Sequence, residues 1–264
     1  MTKFMSGVEI FQKRIVLVNG ASKILGLSIA KKLGKLGATI IITGRTDNEI
    51  HKNVNDLRNM GIHAGGIKCH LNIENERKNL VQIIKEKFGK LDILVNTIFT
   101  DEKYGTTFEV EPQEWKSVLD VSLNSYEHLS RELAPQLTNA SNKGSILFVS
   151  SIGGYAPYDG IGTYSNIRNA IISVNKKIAQ EFAPLNIRSN AIATGLIPTD
   201  IPDFLLKKGE KRDPKILFSI TKPDMVKEGA ELSCVVCSDD VGYLTGQCFS
   251  IFGGVHGHLY SKTQ

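Results

Sequence analysis

Residues 14–26 read RIVLVNGASKILG, an apolar run followed by a turn with a glycine at each end. A short run of this kind is typical of a strand that is buried on both faces, as in a parallel sheet. Glycine lets the backbone approach a pyrophosphate, which the N-terminus of the following helix attracts. The segment therefore predicts a strand, a phosphate-binding turn and a helix, with an ordinary strand-to-helix turn as the alternative.

The alternation of apolar strands and helical patterns continues along the whole chain. It predicts an α/β fold, a doubly wound parallel sheet of the Rossmann type with right-handed crossovers. The predicted strands are 14–19, 39–43, 92–96 and 145–150, with two more near 187–192 and 247–252. The predicted helices are 25–36, 48–60, 74–88, 112–137 and 163–182, with one more near 223–234.

No repeat, low-complexity segment or linker divides the sequence. Residues 1–264 are therefore interpreted as a single dinucleotide-binding-type domain. The longest irregular segment, at about 194–222, follows the carboxyl end of a strand, where sheets of this type bind ligands. We predict that this segment is a substrate lid.

The composition argues against a nucleic-acid or membrane partner. Lys and Arg number 32 and Asp and Glu number 27, and the resulting net charge of +5 is not gathered in a basic block. No apolar run has the length of a membrane span. The polar start of the chain is unlike a secretory signal, and its final Ser-Lys-Thr-Gln is unlike a peroxisomal signal. A cytoplasmic protein is expected.

Two of the four cysteines, Cys234 and Cys237, have the spacing of a redox motif. They lie in an apolar helical stretch, and no second pair accompanies them to complete a metal site. We interpret them as buried structural thiols in a reducing compartment, and we expect no metal.

Three residues in the second half of the chain carry the candidate chemistry. Ser151 ends a predicted strand, and Tyr164 and Arg168 lie four residues apart on a predicted helix, so that they share one face. A cation beside a tyrosine stabilises its phenolate, which favours proton exchange by that side chain. The order and spacing of these residues behind a glycine turn disfavour a chance set of surface or core polar residues.

The glycine turn and these three residues resemble the short-chain dehydrogenase/reductase family, over about residues 10–256. Within that family, segments 69–71, 91–95, 149–152 and 181–188 are similar to the dehydrogenase/reductase member 4 branch. The resemblance implies hydride transfer between NADP(H) and a small-molecule ketone, dicarbonyl or retinal-like carbonyl. It also implies a homodimer or homotetramer, with no nucleic-acid or membrane partner.

The resemblance implies a role for each catalytic candidate. Tyr164 would be the proton donor in reduction, and Ser151 would orient the substrate oxygen. Arg168 would support the tyrosine electrostatically and bind the nicotinamide ribose. Ser122 stands at the position of a family asparagine that holds a water for proton relay. Tyr155 and Tyr158 fall where the family lines its substrate pocket.

Four residues depart from the family pattern around the cofactor position. Ile24 and Phe99 stand where the family has glycines, Ser122 replaces an asparagine, and Arg168 replaces a lysine. Arginine keeps the positive charge, but its planar guanidinium does not reproduce the bonds of an ammonium group. The alternative hypothesis is a catalytically inactive homologue that acts through protein interaction or ligand binding.

The expected cofactor preference depends on Arg45. NAD-binding relatives place a carboxylate after the second strand, whereas here Arg45 and Lys23 are available for a 2′-phosphate. A solvated arginine is the alternative interpretation. His70 stands where many relatives place an aspartate against adenine. The predicted cofactor contacts are Gly20, Ser22, Lys23, Ile24, Gly26, Arg45, His70, Leu71, Asn96, Tyr164, Arg168, Gly195, Ile197 and Thr199.

Overall fold

The computed structural model describes residues 10–21, 24–98, 107–157, 162–195 and 224–253. Within these ranges, seven parallel strands form one sheet. They are β1 (Ile15–Asn19), β2 (Thr39–Gly44), β3 (Ala64–Lys68), β4 (Ile93–Asn96), β5 (Gly144–Ser151), β6 (Ile187–Thr194) and β7 (Cys248–Ile251). Their spatial order is β3-β2-β1-β4-β5-β6-β7, so the chain starts in the middle of the sheet and winds outwards in both directions.

Helices cover both faces of the sheet. They are α1 (Ile24–Lys35), α2 (Asp47–Asn59), α3 (Glu74–Phe88), α4 (Pro112–Leu119), α5 (Ser125–Glu132), α6 (Ala134–Thr138), α7 (Gly162–Phe182) and α8 (Met225–Cys237). A π-helical turn, Asp120–Asn124, joins α4 to α5, and a 3₁₀ turn, Ile152–Gly154, follows β5.

Two hydrophobic cores lie on opposite sides of the sheet. In β1, Val16 and Val18 pack into the core beneath α1, α2 and α8, whereas Leu17 packs into the core beneath α3, α5 and α7. A strand buried on both faces must be apolar throughout, which explains the run that opens the sequence analysis. The predicted single-domain, doubly wound parallel sheet is confirmed.

Strand β3 was not predicted, and its sequence shows why. It reads AGGIK, and most of its residues are partly exposed because it lies at the edge of the sheet. Two glycines are unfavourable in a strand by propensity. Packing explains one of them, because a Cβ on Gly66 would collide with the side chain of Ile50 on α2.

The single helix predicted over 112–137 is interrupted. The π turn widens it at Asp120–Asn124, where the hydroxyl of Ser125 donates to the carbonyl of Val121 at 2.5 Å. The helix ends at Glu132, and α6 begins two residues later with Pro135 in its first turn. The π turn retains the helical periodicity and so leaves no clear trace in the sequence. The second break is marked by Pro135, a helix-breaking residue that the single-helix prediction passed over.

The two cysteines at the end of α8 are buried, which favours a structural role over a redox role. Cys234 and Cys237 are free thiols within the core. Burial raises the pKa of Cys237 to about 12. Thiols that stay protonated at neutral pH are poor nucleophiles, so these side chains act as small apolar groups here.

A buried carboxylate lies at the amino edge of the sheet, where the strands begin. Asp92 accepts hydrogen bonds from the backbone amides of Ile15 (2.8 Å) and Ser141 (2.6 Å). Its oxygens also lie 3.1 Å from Nη1 of Arg14 and 3.0 Å from Nζ of Lys90. Burial alone would raise the pKa of Asp92, but these bonds outweigh it and hold the pKa below its ordinary value.

Within the described ranges, every helix is too short or too polar to span a lipid bilayer.

Candidate active site

The carboxyl edge of the sheet gathers the predicted site residues. Because all strands are parallel, the segments that leave them emerge at this one edge. Residues from six consecutive strand ends or exits therefore meet there: Gly20 after β1, Arg45 after β2, His70 after β3, Asn96 in β4, Ser151 in β5 and Gly195 after β6.

The glycine turn between β1 and α1 forms a close-fitting backbone cradle. Gly20 has a φ of +80°, and a Cβ on it would lie 2.8 Å from the carbonyl oxygen of Thr97. A Cβ on Gly26 would lie 2.5 Å from Oγ1 of Thr97 and 2.7 Å from the carbonyl oxygen of Gly20. Both positions therefore require glycine, and α1 begins at Ile24, so that Gly26 lies in its first turn and the N-terminus of the helix lies at the cradle. This arrangement fits a dinucleotide pyrophosphate.

A buried polar network fixes the turn to three strand ends. Nδ2 of Asn19 donates to Asn96 at 2.8 Å, and the hydroxyl of Thr43 donates to Oδ1 of Asn19 at 2.9 Å. The hydroxyl of Thr97 donates to the carbonyl of Asn19 at 2.6 Å. Since all four residues are buried, the protein's own bonds hold the end of β1 in place where the turn begins.

Ile24, the first residue of α1, is not packed into the core. Its side chain is 48% exposed, so it can change rotamer without disturbing buried neighbours. On the far side of the turn, Nδ2 of Asn53 donates to the carbonyl of Ala21 at 3.1 Å. The residues present are thus compatible with a bound dinucleotide, and Ile24 stays a predicted contact.

The cradle makes a steric prediction for Gly26→Ala. We expect this change to lower NADPH affinity by at least about tenfold, or about 1.4 kcal/mol, because the new methyl group collides with the backbone of Gly20. Gly65→Ala is the matched control, since a Cβ there meets no atom within 4 Å. Calorimetric titration of both variants measures the effect, and equal affinities would contradict the cradle.

Helix α7 brings Tyr164 and Arg168 into contact. The guanidinium carbon of Arg168 lies 4.8 Å from the centroid of the Tyr164 ring, within the range of a cation–π interaction. Arg168 is 0% exposed, and its Nη1 donates to the carbonyl of Val149 on β5 at 3.3 Å. The arginine therefore lies beneath the tyrosine against the sheet. Its predicted contact with the nicotinamide ribose stays a prediction.

Ser151 lies at the end of β5, directly before the turn that packs on α7. Its hydroxyl accepts a hydrogen bond from the amide of Gly153 at 3.3 Å. A Cβ on Gly153 would lie 2.9 Å from Cε1 of Tyr164, so the turn and the tyrosine ring are in direct contact. The strand end and the helix thus place Ser151 and Tyr164 on abutting elements.

The π turn holds the fourth catalytic candidate. Ser122 is fully buried in this turn, and Tyr126 lies one helical turn further on. The hydroxyl of Tyr126 donates to the carbonyl of Ile98 at 2.8 Å. Burial raises the pKa of Tyr126, and the charge of Arg168 offsets only part of this effect. Tyr126 was missed in the sequence, where it reads as an ordinary apolar helix position.

The residues predicted to lie near the adenine, His70 and Leu71, form hydrogen bonds with side chains of α3. Glu76, in the first turn of α3, accepts hydrogen bonds from the backbone amide of His70 at 2.6 Å and from its ring Nδ1 at 2.9 Å. These bonds lower the pKa of Glu76. Leu71 is buried, and its carbonyl accepts from Arg77 at 2.7 Å. Arg45 is exposed at the end of β2.

Tyr155 lies beyond the turn that follows β5 and packs towards β7. Its ring centroid is 5.6 Å from that of Phe252, in an edge-on arrangement. Other predictions lie outside the described residues, namely Ser22, Lys23, Phe99, Tyr158, Ile197, Thr199 and nearly all of the lid.

Comparison with known proteins places the chain in a class. Residues 14–208 match the family model described as short chain dehydrogenase, so the chain belongs to that family, as its motifs predicted. Dehydrogenase/reductase SDR family member 4 of Bos taurus is 28% identical over 247 residues, which cover 93% of this chain and 88% of that protein.

Solved structures share the fold. Gluconate 5-dehydrogenase from Burkholderia cenocepacia, in complex with NADP and tartrate, has a TM-score of 0.85 at 20% identity and covers 94% of this chain and 97% of its own. Actinorhodin polyketide ketoreductase with NADPH has a TM-score of 0.82 at 23% identity, with coverage of 93% and 97%.

Proposed function

We propose that this protein is an NADP(H)-dependent oxidoreductase that reduces a ketone, a dicarbonyl or a retinal-like carbonyl, or oxidises the corresponding alcohol. The observation that carries the proposal is the Tyr164 ring over the buried Arg168 guanidinium, beside the strand end that holds Ser151. Family membership supports the reaction type.

Each side chain has a defined task in this reaction. When bound, the nicotinamide supplies or accepts the hydride at the carbonyl carbon. Tyr164 gives its hydroxyl proton to the carbonyl oxygen in reduction and takes it back in oxidation. Ser151 orients that oxygen by hydrogen bonding. Arg168 stabilises the tyrosinate that reduction leaves behind, because a nearby cation favours the charged form. Ser122 would take part in proton relay, at the position where the family has an asparagine.

The charges after β2 support the proposed preference for NADP(H). Arg45 is exposed there, and the carboxylate of Asp47, two residues further along the chain, lies 3.5 Å from Nζ of Lys68. A guanidinium at this position can bind a 2′-phosphate in bidentate geometry. The two solved relatives described above, which were crystallised with NADP or NADPH, add support by analogy.

Calorimetric titration with NADPH and NADH tests the proposal. We expect NADPH to bind more tightly than NADH, and purified protein to oxidise NADPH in the presence of an α-dicarbonyl. A failure of NADPH to bind at millimolar concentration would refute the reductase function. Tighter binding of NADH would refute the cofactor preference alone.

Restoring the family's lysine at position 168 and its asparagine at position 122 is expected to raise the rate of NADPH oxidation. Arg168→Lys combined with Ser122→Asn should raise kcat by about tenfold, equivalent to about 1.4 kcal/mol of barrier, because an ammonium group and an amide restore the bonding that arginine and serine reproduce in part. Stopped-flow oxidation of NADPH measures the rate. If kcat does not rise in the double variant or in either single variant, these residues do not limit the reaction.

A catalytically inactive homologue that binds a ligand or a protein is the second candidate. The observation in its favour is Arg168, which is 0% exposed and turned towards β5. NADPH binding without turnover on a panel of ketones, dicarbonyls and retinal would favour this candidate, provided that the double variant is inactive as well.

We further propose that about 194–222 closes over the substrate and that the protein assembles as a homodimer or homotetramer. The place of this segment after the carboxyl end of a strand supports the first proposal, and family resemblance supports the second. Light scattering during size-exclusion chromatography measures the assembly, and a monomeric mass would overturn it.

A further inference from the structure

The 3₁₀ turn Ile152–Gly154 packs so closely against one short stretch of α7 that no side chain fits between them at Gly154. A Cβ on Gly154 would lie 2.8 Å from the carbonyl carbon of Arg168 and 3.0 Å from the backbone nitrogen of Asn169. Backbone therefore meets backbone here, directly beside the residue that contacts Tyr164. A shift of the turn along the helix would carry Ser151 with it, since Ser151 directly precedes the turn.

Two side chains hold the turn in this position, one from each element. From the strand, the hydroxyl of Ser150 donates to the carbonyl of Arg168 at 2.7 Å in a fully buried setting. From the helix, Nδ2 of Asn169 donates to the carbonyl of Gly154 at 2.8 Å. The second bond is partly exposed, so its contribution to overall stability is small. Its direct effect is on the location of the turn.

We propose that Asn169 is a positioning residue, which sets Ser151 against Tyr164 by holding the Gly154 carbonyl. Asn169 itself contacts the turn and acts through it on the substrate oxygen. The inference rests on the proposed oxidoreductase function. A displacement of about 1 Å in a reacting geometry lowers rates by up to about 100-fold, so a loose turn should reduce kcat strongly.

Asn169→Asp tests the proposal because it keeps the shape of the side chain and removes the donor. Asn169→Ala removes the donor without adding charge. Asn166→Asp is the matched control, since Asn166 is an exposed asparagine on the same helix. We expect kcat to fall about 10- to 100-fold in both Asn169 variants, with NADPH affinity unchanged, while Asn166→Asp keeps the kcat of the unchanged protein.

Hydrogen exchange supplies a readout that is independent of turnover. The amides of Tyr155 and Ala156 both donate to the carbonyl of Ile152 at 2.9 Å. Their protection from hydrogen exchange therefore shows whether the turn keeps its structure. We expect faster exchange at these amides in Asn169→Asp and Asn169→Ala, and no change in Asn166→Asp.

The outcomes separate this inference from the proposed function. Unchanged kcat in both Asn169 variants would overturn the positioning role while the reductase function stands, whether or not exchange is faster. Unchanged exchange in both variants would also overturn it. Absence of turnover in the unchanged protein would overturn the proposed function, and the positioning role with it.

Discussion

Tyr164→Phe is expected to lower kcat by about 10²- to 10⁴-fold, the contribution usual for a positioned general acid or base. The change removes one oxygen atom and keeps the ring, so the contact with the buried guanidinium of Arg168 persists. The cradle residues Gly20 and Gly26 are untouched. NADPH affinity should therefore stay within about twofold of that of the unchanged protein, which separates loss of chemistry from loss of binding.

A second tyrosine provides the control for this experiment. Tyr243 is fully exposed in the loop that follows α8, so Tyr243→Phe makes the same chemical change away from the site. Both variants are compared by steady-state oxidation of NADPH and by calorimetric titration. If Tyr164→Phe retains a tenth or more of the original kcat, another group donates the proton and the assignment of Tyr164 is wrong.

Asp92→Asn is expected to lower the free energy of unfolding by about 3–5 kcal/mol at pH 7, the range for breaking a buried charge pair. The amide keeps the size of the carboxylate, but its NH₂ group must face one of the two backbone amides that Asp92 satisfies, that of Ile15 or that of Ser141. Arg14 and Lys90 also lose their buried partner. Urea denaturation measures the loss.

The pH dependence of this effect has a definite sign. The pKa of Asp92 is held below its ordinary value, so the ionised carboxylate stabilises the folded state at every pH above that ordinary value. The stabilisation is lost as the pH falls through the lower, folded-state pKa. The difference between the unchanged protein and Asp92→Asn should therefore stay constant from about pH 5 to pH 7 and shrink below about pH 4.

Asp47→Asn controls for the removal of one negative charge. Asp47 is exposed and lies 3.5 Å from Lys68, an arrangement that contributes at most about 1 kcal/mol. A loss in Asp92→Asn no larger than that in Asp47→Asn would show that the buried network contributes little.

The central strands and most helices could be predicted because each is buried in a simple way. β1, β4 and β5 are covered on both faces, and an apolar run is the direct consequence. β3 could not be predicted, because an edge strand needs fewer apolar residues and Gly66 is required by the packing of Ile50 on α2. At the break over Asp120–Asn124 the hydroxyl of Ser125 donates to the carbonyl of Val121, and a local bond of this kind leaves hydrophobic periodicity intact.

The site was predictable where chemistry fixes residue type and spacing. The four-residue interval between Tyr164 and Arg168 gave their shared face, and the contact between them follows from it. The sequence could not show that Arg168 is buried beneath the tyrosine, because exposure depends on how α7 packs on β5. The hydrogen bond from Asn169 to Gly154 joins residues that are 15 positions apart, and no sequence pattern predicts it.

Asp92 contributes to stability at the amino edge of the sheet, whereas the candidate catalytic residues lie at the carboxyl edge. The carbonyl of Asp92 accepts the amide of Ser145 near the start of β5, while Ser151 ends that strand, and six residues of extended chain span roughly 20 Å. Substitutions at that separation combine independently in free energy. The amino edge can therefore absorb changes that raise or lower thermal tolerance while the reaction at the opposite edge keeps its rate. Selection for heat resistance and selection for substrate can act on different residues of the same strand.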